Sequence, residues 1–240
     1  MIIKAAHVLC AAFVFIYYFH RANLFFMQQI YCISGLAADH QMFGNLSIEG
    51  YELVLLPWVA YDKADNMASY AAKMVAGLPG ENAIIIGLSF GGMLSVEIAR
   101  IHPLWKIFIV SSAKTSAELG YDSDFLRWIS GMEIIPADLF NKPSIAGLYF
   151  LGAGTEEEKK FMRQIIKNSD AKLTRWSVNT LLNWHNETYT PNIIHIHGTD
   201  DKVIRSANVK PDYWIKDGTH IMIYNRAAEV SKIISDCLAS

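Results

Sequence analysis

Residues 83–92 constrain the fold of this chain more than any other segment, because an apolar run there ends in a serine held between glycines. The three isoleucines at 84–86 are β-branched and uninterrupted by polar residues, which is typical of a strand buried on both faces of a parallel sheet. Apolar residues then recur at near-helical spacing from Met93 onward, until Pro103 ends the pattern. The segment therefore predicts a strand, a sharp turn and a helix in direct succession.

The turn between this strand and helix reads Gly-Leu-Ser-Phe-Gly at 87–91, which matches the Gly-x-Ser-x-Gly nucleophile elbow. Such a turn holds its serine in a strained backbone conformation, so the hydroxyl of Ser89 would be exposed at the top of the strand. Gly87 and Gly91 suit the elbow because a Cβ at either position would crowd it. The alternative interpretation is an ordinary serine in a glycine-rich turn, and only partner residues can decide between the two.

A serine nucleophile needs a histidine to take its proton and an acid to orient that histidine. After a nucleophile elbow, the expected chain order is serine, then Asp or Glu, then histidine. One strand pattern ends in a turn that carries Asp200 and Asp201, and a short strand over 213–215 is followed by a loop that carries His220. Because the carboxyl ends of parallel strands face the same crevice, we expect Ser89, one of these acids and His220 to meet there.

At these residues the chain resembles the α/β-hydrolase superfamily and, more narrowly, its small esterase-like serine hydrolases. The resemblance rests on the pentapeptide at 87–91, on His-Gly-Thr-Asp-Asp at 197–201, on Gly-Thr-His at 218–220, and on the opening Ile-Tyr-Cys-Ile-Ser-Gly-Leu at 30–36. It extends from about Gln29 to the end of the chain. It implies an α/β fold with a mostly parallel, doubly wound sheet and a helical cap insertion.

The resemblance also implies a role for each site residue. It makes His220 the base and places the acid at Asp201, with Asp200 as the alternative and a turn-forming role for whichever is not used. Two backbone amides should hold the oxyanion of the tetrahedral intermediate. One comes from Phe90, the residue after the nucleophile, and the resemblance places the other at Leu36.

The rest of the chain alternates strands and helices as a doubly wound sheet requires. Strands are expected over 52–56 and 106–110, with a helix over 67–75 between the first of these and the elbow strand. A final helix buries one apolar face that includes Val230 and Ile234. This order predicts parallel pairing with right-handed crossovers.

No strand pattern appears between about 113 and 187, and this length far exceeds one crossover helix. We interpret residues 27–240 as one α/β-hydrolase domain with a helical cap inserted over about 113–187. Four helical pieces are expected, over 124–132, over 136–150, from a capping box at 155–158, and from about 170 to 184. Such a cap would cover the crevice and exclude water.

Aromatic and methionine side chains in the cap, together with Trp58 and Met93, suggest an apolar pocket for an acyl or alcohol group. The alternative for each of these residues is simple helix packing, because apolar stripes at helical spacing usually form core. The pocket assignment of Trp58 and Met93 therefore keeps both interpretations.

The composition is that of a globular protein without a basic nucleic-acid footprint. The chain has 240 residues, of which 52% are hydrophobic and 18% charged, and a formal net charge of −2. Its three cysteines have no paired spacing, which favours reduced thiols. His195 and His197 alternate with isoleucines on one strand face without further ligands, so we expect them to pack or hydrogen-bond near the turn. We expect no metal and no organic cofactor.

The first 26 residues differ from the rest. Residues 5–19 are apolar apart from His7, and no acidic residue precedes Asp39. This run is short for a bilayer span, which needs about 20 residues, and no small-residue cleavage site follows it. We favour translation from Met27 and a cytoplasmic enzyme. The alternative is membrane anchoring or export through residues 1–26, and membrane contact is expected only if they are retained.

These patterns predict a serine hydrolase that cleaves carboxylic esters of small or medium apolar substrates through an acyl-enzyme. Its partner would be a small ester-like molecule and not nucleic acid. The same triad also supports thioesterase, carbon–carbon hydrolase or acyltransferase chemistry. A non-catalytic ligand-binding protein on this fold is the alternative from a different class.

Overall fold

A six-stranded sheet forms the centre of the computed structural model, which describes residues 27–120 and 140–240. The predictions made for residues 1–26, for the 124–132 helix and for the start of the 136–150 piece lie outside these ranges. No helix within the described ranges combines the length and the apolar character needed to cross a bilayer.

The sheet runs in the order β2-β1-β3-β4-β5-β6, and every neighbouring pair is parallel. The described sheet is thus entirely parallel, where the sequence predicted a mostly parallel one. The second strand begins and ends one residue earlier than the predicted 52–56, because Tyr51 pairs with Gln28 at the start of the ladder. The strands are β1 Gln28–Ile33, β2 Tyr51–Leu55, β3 Ile84–Leu88, β4 Lys106–Val110, β5 Ile193–Gly198 and β6 Tyr213–Ile215.

Helices cover both faces of the sheet, which explains why β3 is apolar without alternation. Ile85 points into the core on the side of α1 and α2, whereas Ile84 and Ile86 point into the core on the side of α7. The helices are α1 Met67–Val75, α2 Phe90–Ile101, α3 Ile145–Leu151, α4 Glu156–Asn168, α5 Ala171–Leu182, α6 Met222–Asn225 and α7 Ala227–Ala239.

Helices α3, α4 and α5 lie between β4 and β5 in the chain, where the sequence predicted the cap. The capping box that opens α4 is formed by Thr155 and Glu158. In α4, Phe161 stacks on Tyr224 with ring centroids 4.0 Å apart. In α5, Trp176 packs on Tyr70 of α1 at 4.5 Å. These helices contact elements from both faces of the sheet, and the division into a main domain and a cap over 113–187 stays a prediction.

The direction of winding changes between β1 and β3. The connection that leaves β1 leads outward to β2, and the one that leaves β3 leads the opposite way to β4. Ile33 and Gly87 pair across this junction. In open parallel sheets, a crevice forms at the carboxyl edge where the winding reverses. The loops that follow β1 and β3 therefore lie side by side at that crevice.

The fully buried side chain of Ile85 at the centre of the sheet provides a test of this core. We expect Ile85→Ala to lower the free energy of unfolding by about 2 to 5 kcal/mol, because the substitution leaves a cavity. The matched control is Ile145→Ala, whose isoleucine is 88% exposed and should change stability by less than about 0.5 kcal/mol. Urea unfolding measures both, and equal effects would contradict this core assignment.

Candidate active site

Ser89 occupies the turn between β3 and α2 in a conformation that L-residues rarely adopt, with φ 51° and ψ −117°. Close packing holds the turn in place. A Cβ added at Gly87 would lie 2.5 Å from the carbonyl oxygen of Gly91, and one added at Gly91 would lie 2.2 Å from that of Ser34. Because neither position has room for a side chain, the backbone at Ser89 stays strained and its hydroxyl projects from the turn.

Ser112 lies two residues beyond β4 and contacts the turn from the side of that strand. Its hydroxyl donates a hydrogen bond to the carbonyl oxygen of Ser89 at 2.8 Å. A Cβ added at Gly92 would lie 2.4 Å from the Ser112 hydroxyl oxygen, so this contact also depends on a glycine. Sequence reasoning missed this contact, because a small hydroxyl residue beyond a predicted strand is common and identifies no partner.

Three loops bring Ser89, His220 and Asp201 into one hydrogen-bonded chain. The Nε2 atom of His220 lies 2.9 Å from Ser89 Oγ, and its Nδ1 atom lies 2.9 Å from Asp201 Oδ2. The imidazole and the carboxylate are buried, whereas Ser89 is half-buried. These side chains follow β3, β5 and β6, so the parallel sheet places all three at its carboxyl edge.

The carboxylate in contact with His220 belongs to Asp201 and not to Asp200. The second oxygen of Asp201, Oδ1, accepts hydrogen bonds from the amides of Val203 at 2.9 Å and Ile204 at 3.0 Å. Asp200 is exposed, and its Oδ1 accepts from the Thr199 hydroxyl at 3.2 Å. The backbone thus holds one oxygen of Asp201 and leaves the other for the imidazole.

The partners of His220 determine which of its nitrogens carries the proton. An ionised carboxylate can only accept, so Nδ1 donates to Asp201 and Nε2 of the neutral ring has a free lone pair. The Ser89 hydroxyl then donates to Nε2. This is the orientation in which the imidazole can remove the serine proton.

The loop after β1 lies against the serine. A Cβ added at Gly35 would lie 3.2 Å from the Cβ atom of Ser89. The loop is closed by the Ser34 hydroxyl, which donates to the carbonyl oxygen of Asp39 at 2.9 Å, and by the Ala38 amide, which donates to that of Gly35 at 3.1 Å. The hydrogen bond from Ser34 therefore joins the two ends of the loop.

The two amides predicted to hold the oxyanion belong to segments beside Ser89, one adjoining it in the chain and the other in the loop that packs against it. Phe90 follows it directly as the first residue of α2, where amides have no partner within the helix. Leu36 follows Gly35 in the closed loop and also lines a cavity of about 130 Å³. Their role in holding an oxyanion stays a prediction.

That cavity lies between the loop after β1 and the start of α5. Trp58 forms part of its wall and packs near the Phe90 ring, with centroids 6.1 Å apart. Met93, predicted together with Trp58 as a pocket residue, instead lies in the apolar core and is 2% exposed. It does not line this cavity.

His195 and His197 are fully buried on β5, behind Asp201. His195 Nε2 lies 3.1 Å from His197 Nδ1, and His197 Nε2 lies 2.9 Å from the carbonyl oxygen of Ile204. Burial lowers the pKa of both rings, and that of His195 falls well below its usual value, so both are neutral at pH 7. Over the ranges that the structure describes, no three His, Cys, Asp or Glu side chains group as a metal site would need.

We predict that a side chain at Gly87 lowers both the stability of the protein and the reactivity of Ser89, because the elbow has no room for it. Gly87→Ala should lower the free energy of unfolding by about 1 to 3 kcal/mol, because the new methyl group displaces the elbow backbone. The control is Gly77→Ala, where an added Cβ meets nothing within 4 Å. Thermal or urea unfolding measures both variants, and a Gly87→Ala protein as stable as the control would contradict the packing described above.

Comparisons with known proteins agree with this architecture. No family model and no curated protein sequence matches the chain. Among solved structures, an esterase from Exiguobacterium antarcticum and an enol-lactonase from Burkholderia xenovorans each share 14% identity with it, with a TM-score of 0.67, over 89% of this chain and 92% of theirs. A lipase-esterase related protein from Clostridium acetobutylicum shares 15% identity, with a TM-score of 0.63, over 87% and 93%. This likeness, with the parallel sheet and its elbow, shows that the chain has the α/β-hydrolase fold.

Proposed function

We propose that this protein is a serine hydrolase that cleaves carboxylic esters of small or medium apolar substrates through an acyl-enzyme. The observation that carries the proposal is the continuous contact from the Ser89 hydroxyl through His220 to Asp201, with 2.9 Å at each step. The solved structures with this fold include an esterase and an enol-lactonase, which supports ester-type chemistry. None of this chemistry requires an organic cofactor.

In the acylation step, Ser89 Oγ attacks the carbonyl carbon of the ester and its proton passes to His220 Nε2. The carbonyl π electrons move to the oxygen, which becomes an oxyanion. The intermediate then collapses, the bond to the alcohol oxygen breaks, and the imidazolium donates its proton to that oxygen. Water repeats the sequence to release the acid, and Asp201 stabilises the imidazolium in both steps.

The oxyanion would be held by the backbone amides of Phe90 and Leu36. The amide of Phe90 is at the N-terminus of α2, whose dipole favours negative charge. The loop that carries Leu36 is closed by its own hydrogen bonds, so it need not reorganise as charge develops. Both amides belong to segments that pack directly against Ser89.

The size and apolar character of the substrate are proposed from the cavity beside the loop after β1. Its volume of about 130 Å³ suits a short chain or small ring. Leu36, Trp58 and Leu173 contribute apolar surface to it. Asp39 and Asp170 also line it, so the cavity favours uncharged groups over anionic ones, and its apolar wall suits a hydrocarbon group.

A cytoplasmic location is part of the same proposal. Cys32 and Cys237 are unpaired and buried, and burial raises the pKa of the Cys32 thiol to about 12. The Cys32 thiol therefore remains protonated, and buried reduced cysteines of this kind are common in proteins of reducing compartments.

The two adjacent acids provide a matched test of the acid's role. Asp201→Asn should lower kcat about 10⁴-fold, because an amide cannot hold the imidazole in the required tautomer. Asp200→Asn should leave kcat within about twofold, since its carboxylate is exposed and contacts Thr199. Steady-state hydrolysis of short aryl esters measures both, and equal losses would contradict the assignment of Asp201.

Labelling by a fluorophosphonate probe tests whether the chain is an enzyme. We expect the probe to modify Ser89, because it reacts with serines activated by a base. Labelling should vanish in Ser89→Ala and fall by at least about 100-fold in His220→Ala. Mass spectrometry locates the modified residue, and circular dichroism checks that each variant is folded. A folded wild-type protein that is neither labelled nor active on aryl esters would favour a non-catalytic binding protein.

A further inference from the structure

The two buried histidines of β5 take no part in the chemistry proposed above, yet they extend the hydrogen-bonded chain beyond Asp201. His197 Nε2 lies 2.9 Å from the carbonyl oxygen of Ile204 and 3.5 Å from Asp201 Oδ2. That carboxylate oxygen is the one that faces His220. On the other side of its ring, His197 Nδ1 lies 3.1 Å from Nε2 of His195.

The chemistry of the neighbouring atoms determines where the ring protons are. A carbonyl and a carboxylate oxygen can only accept, so His197 Nε2 must carry a proton. In the neutral ring, Nδ1 is then an acceptor, and Nε2 of His195 must donate to it. Nδ1 of His195 completes no hydrogen bond within the described residues, and the nearby Ser112 backbone favours a protonated ring, so the His195 tautomer follows from the contact with His197 alone. The acceptors around His197 leave it one neutral tautomer, and that tautomer makes Nε2 of His195 the donor.

Burial keeps both rings neutral, and the charged groups around them do not reverse its effect. Burial is the main cause of the low pKa of His197, and the Asp201 carboxylate opposes it only in part. Burial is also the main cause of the low pKa of His195. The neighbouring His197 and the Lys114 ammonium lower this pKa further, and the Ser112 backbone opposes them. His220 adds to the lowering of the His197 pKa, and the ring of Trp214, which carries no charge, packs edge-on against His197 with centroids 6.0 Å apart.

The backbone of Ile204 connects His197 to Asp201. Its carbonyl accepts from His197 Nε2, and its amide donates to Asp201 Oδ1 at 3.0 Å. His197 therefore holds the turn that carries the carboxylate, and its ring N–H directs positive charge at the oxygen shared with His220. A turn held at both ends confines the carboxylate to one rotamer.

We propose that His197 is a positioning residue that orients Asp201 for catalysis, and that His195 sets the tautomer of His197. This proposal rests on the hydrolase function proposed above. It assigns both histidines to the reaction although neither touches substrate.

Replacement of His197 by residues with and without a donor tests the proposal. His197→Phe keeps the ring volume but removes both nitrogens, and it should lower kcat about tenfold with KM within about twofold. The acid limb of kcat/KM should shift, because the Asp201 carboxylate that faces His220 loses the N–H beside it and is no longer held in one rotamer. His197→Gln restores a donor near Ile204 and should recover most of kcat.

A stability control separates positioning from general destabilisation. Ile196→Val alters the opposite face of the same strand and should lower stability by about 0.5 to 1.5 kcal/mol without changing kcat or the pH profile. A folded His197→Phe variant with wild-type kcat and an unchanged acid limb would overturn the proposal, as would a His197→Gln variant no more active than His197→Phe.

Nitrogen NMR of histidine-labelled wild-type protein gives a measurement that does not depend on activity or on any variant folding. We expect both His195 and His197 to be neutral and protonated at Nε2 throughout pH 7 to 9. A protonated Nδ1 on His197, or an imidazolium at pH 7, would overturn the inference. Absence of both probe labelling and ester hydrolysis in the wild type would instead refute the hydrolase function, while the NMR result would still decide whether the tautomers are locked.

Discussion

The close packing of one strand-to-helix turn is the constraint on which the rest of this site depends. Ser89 is held at a positive φ because Gly87 and Gly91 leave no space between the elbow, the start of α2 and the carbonyl groups after β1. This strain directs the hydroxyl into the crevice and leaves the first amide of α2 beside it. The same contacts bring Gly35 against the serine, so the turn also positions the loop that carries Leu36.

The sheet supplies the second requirement, which is to bring distant parts of the chain to one point. Ser89 and His220 are 131 residues apart in sequence, and their contact exists because β3 and β6 end at the same edge of a parallel sheet. Folding of the core therefore offsets the conformational entropy lost when these side chains are ordered, so substrate binding does not have to. Asp201 shows the extent of this preparation, because backbone amides already hold one of its oxygens.

Sequence reasoning predicted most of the described fold and named the three residues that the structure joins by hydrogen bonds, and the differences have physical causes. The boundary of β2 moved by one residue because strand ends are set by pairing with β1 and not by local composition. Met93, predicted as a pocket residue, lies buried in the core, and its sequence pattern is the same for either role. The contacts of Ser112 with Ser89 and of His197 with Ile204 had no sequence signal, because serine and histidine at strand ends are common in any α/β protein.

The sequence by itself determined the buried strand, the glycine-flanked serine and the order of the acid and the histidine after it. These features depend on local properties, namely a run of β-branched residues, glycines without a Cβ, and residue type. Only the tertiary structure decided between Asp200 and Asp201, because the two are neighbours of identical chemistry that differ in which loop they face. It also decided the tautomers along the hydrogen-bonded chain, since the proton on an imidazole is set by the acceptors that long-range folding places around it.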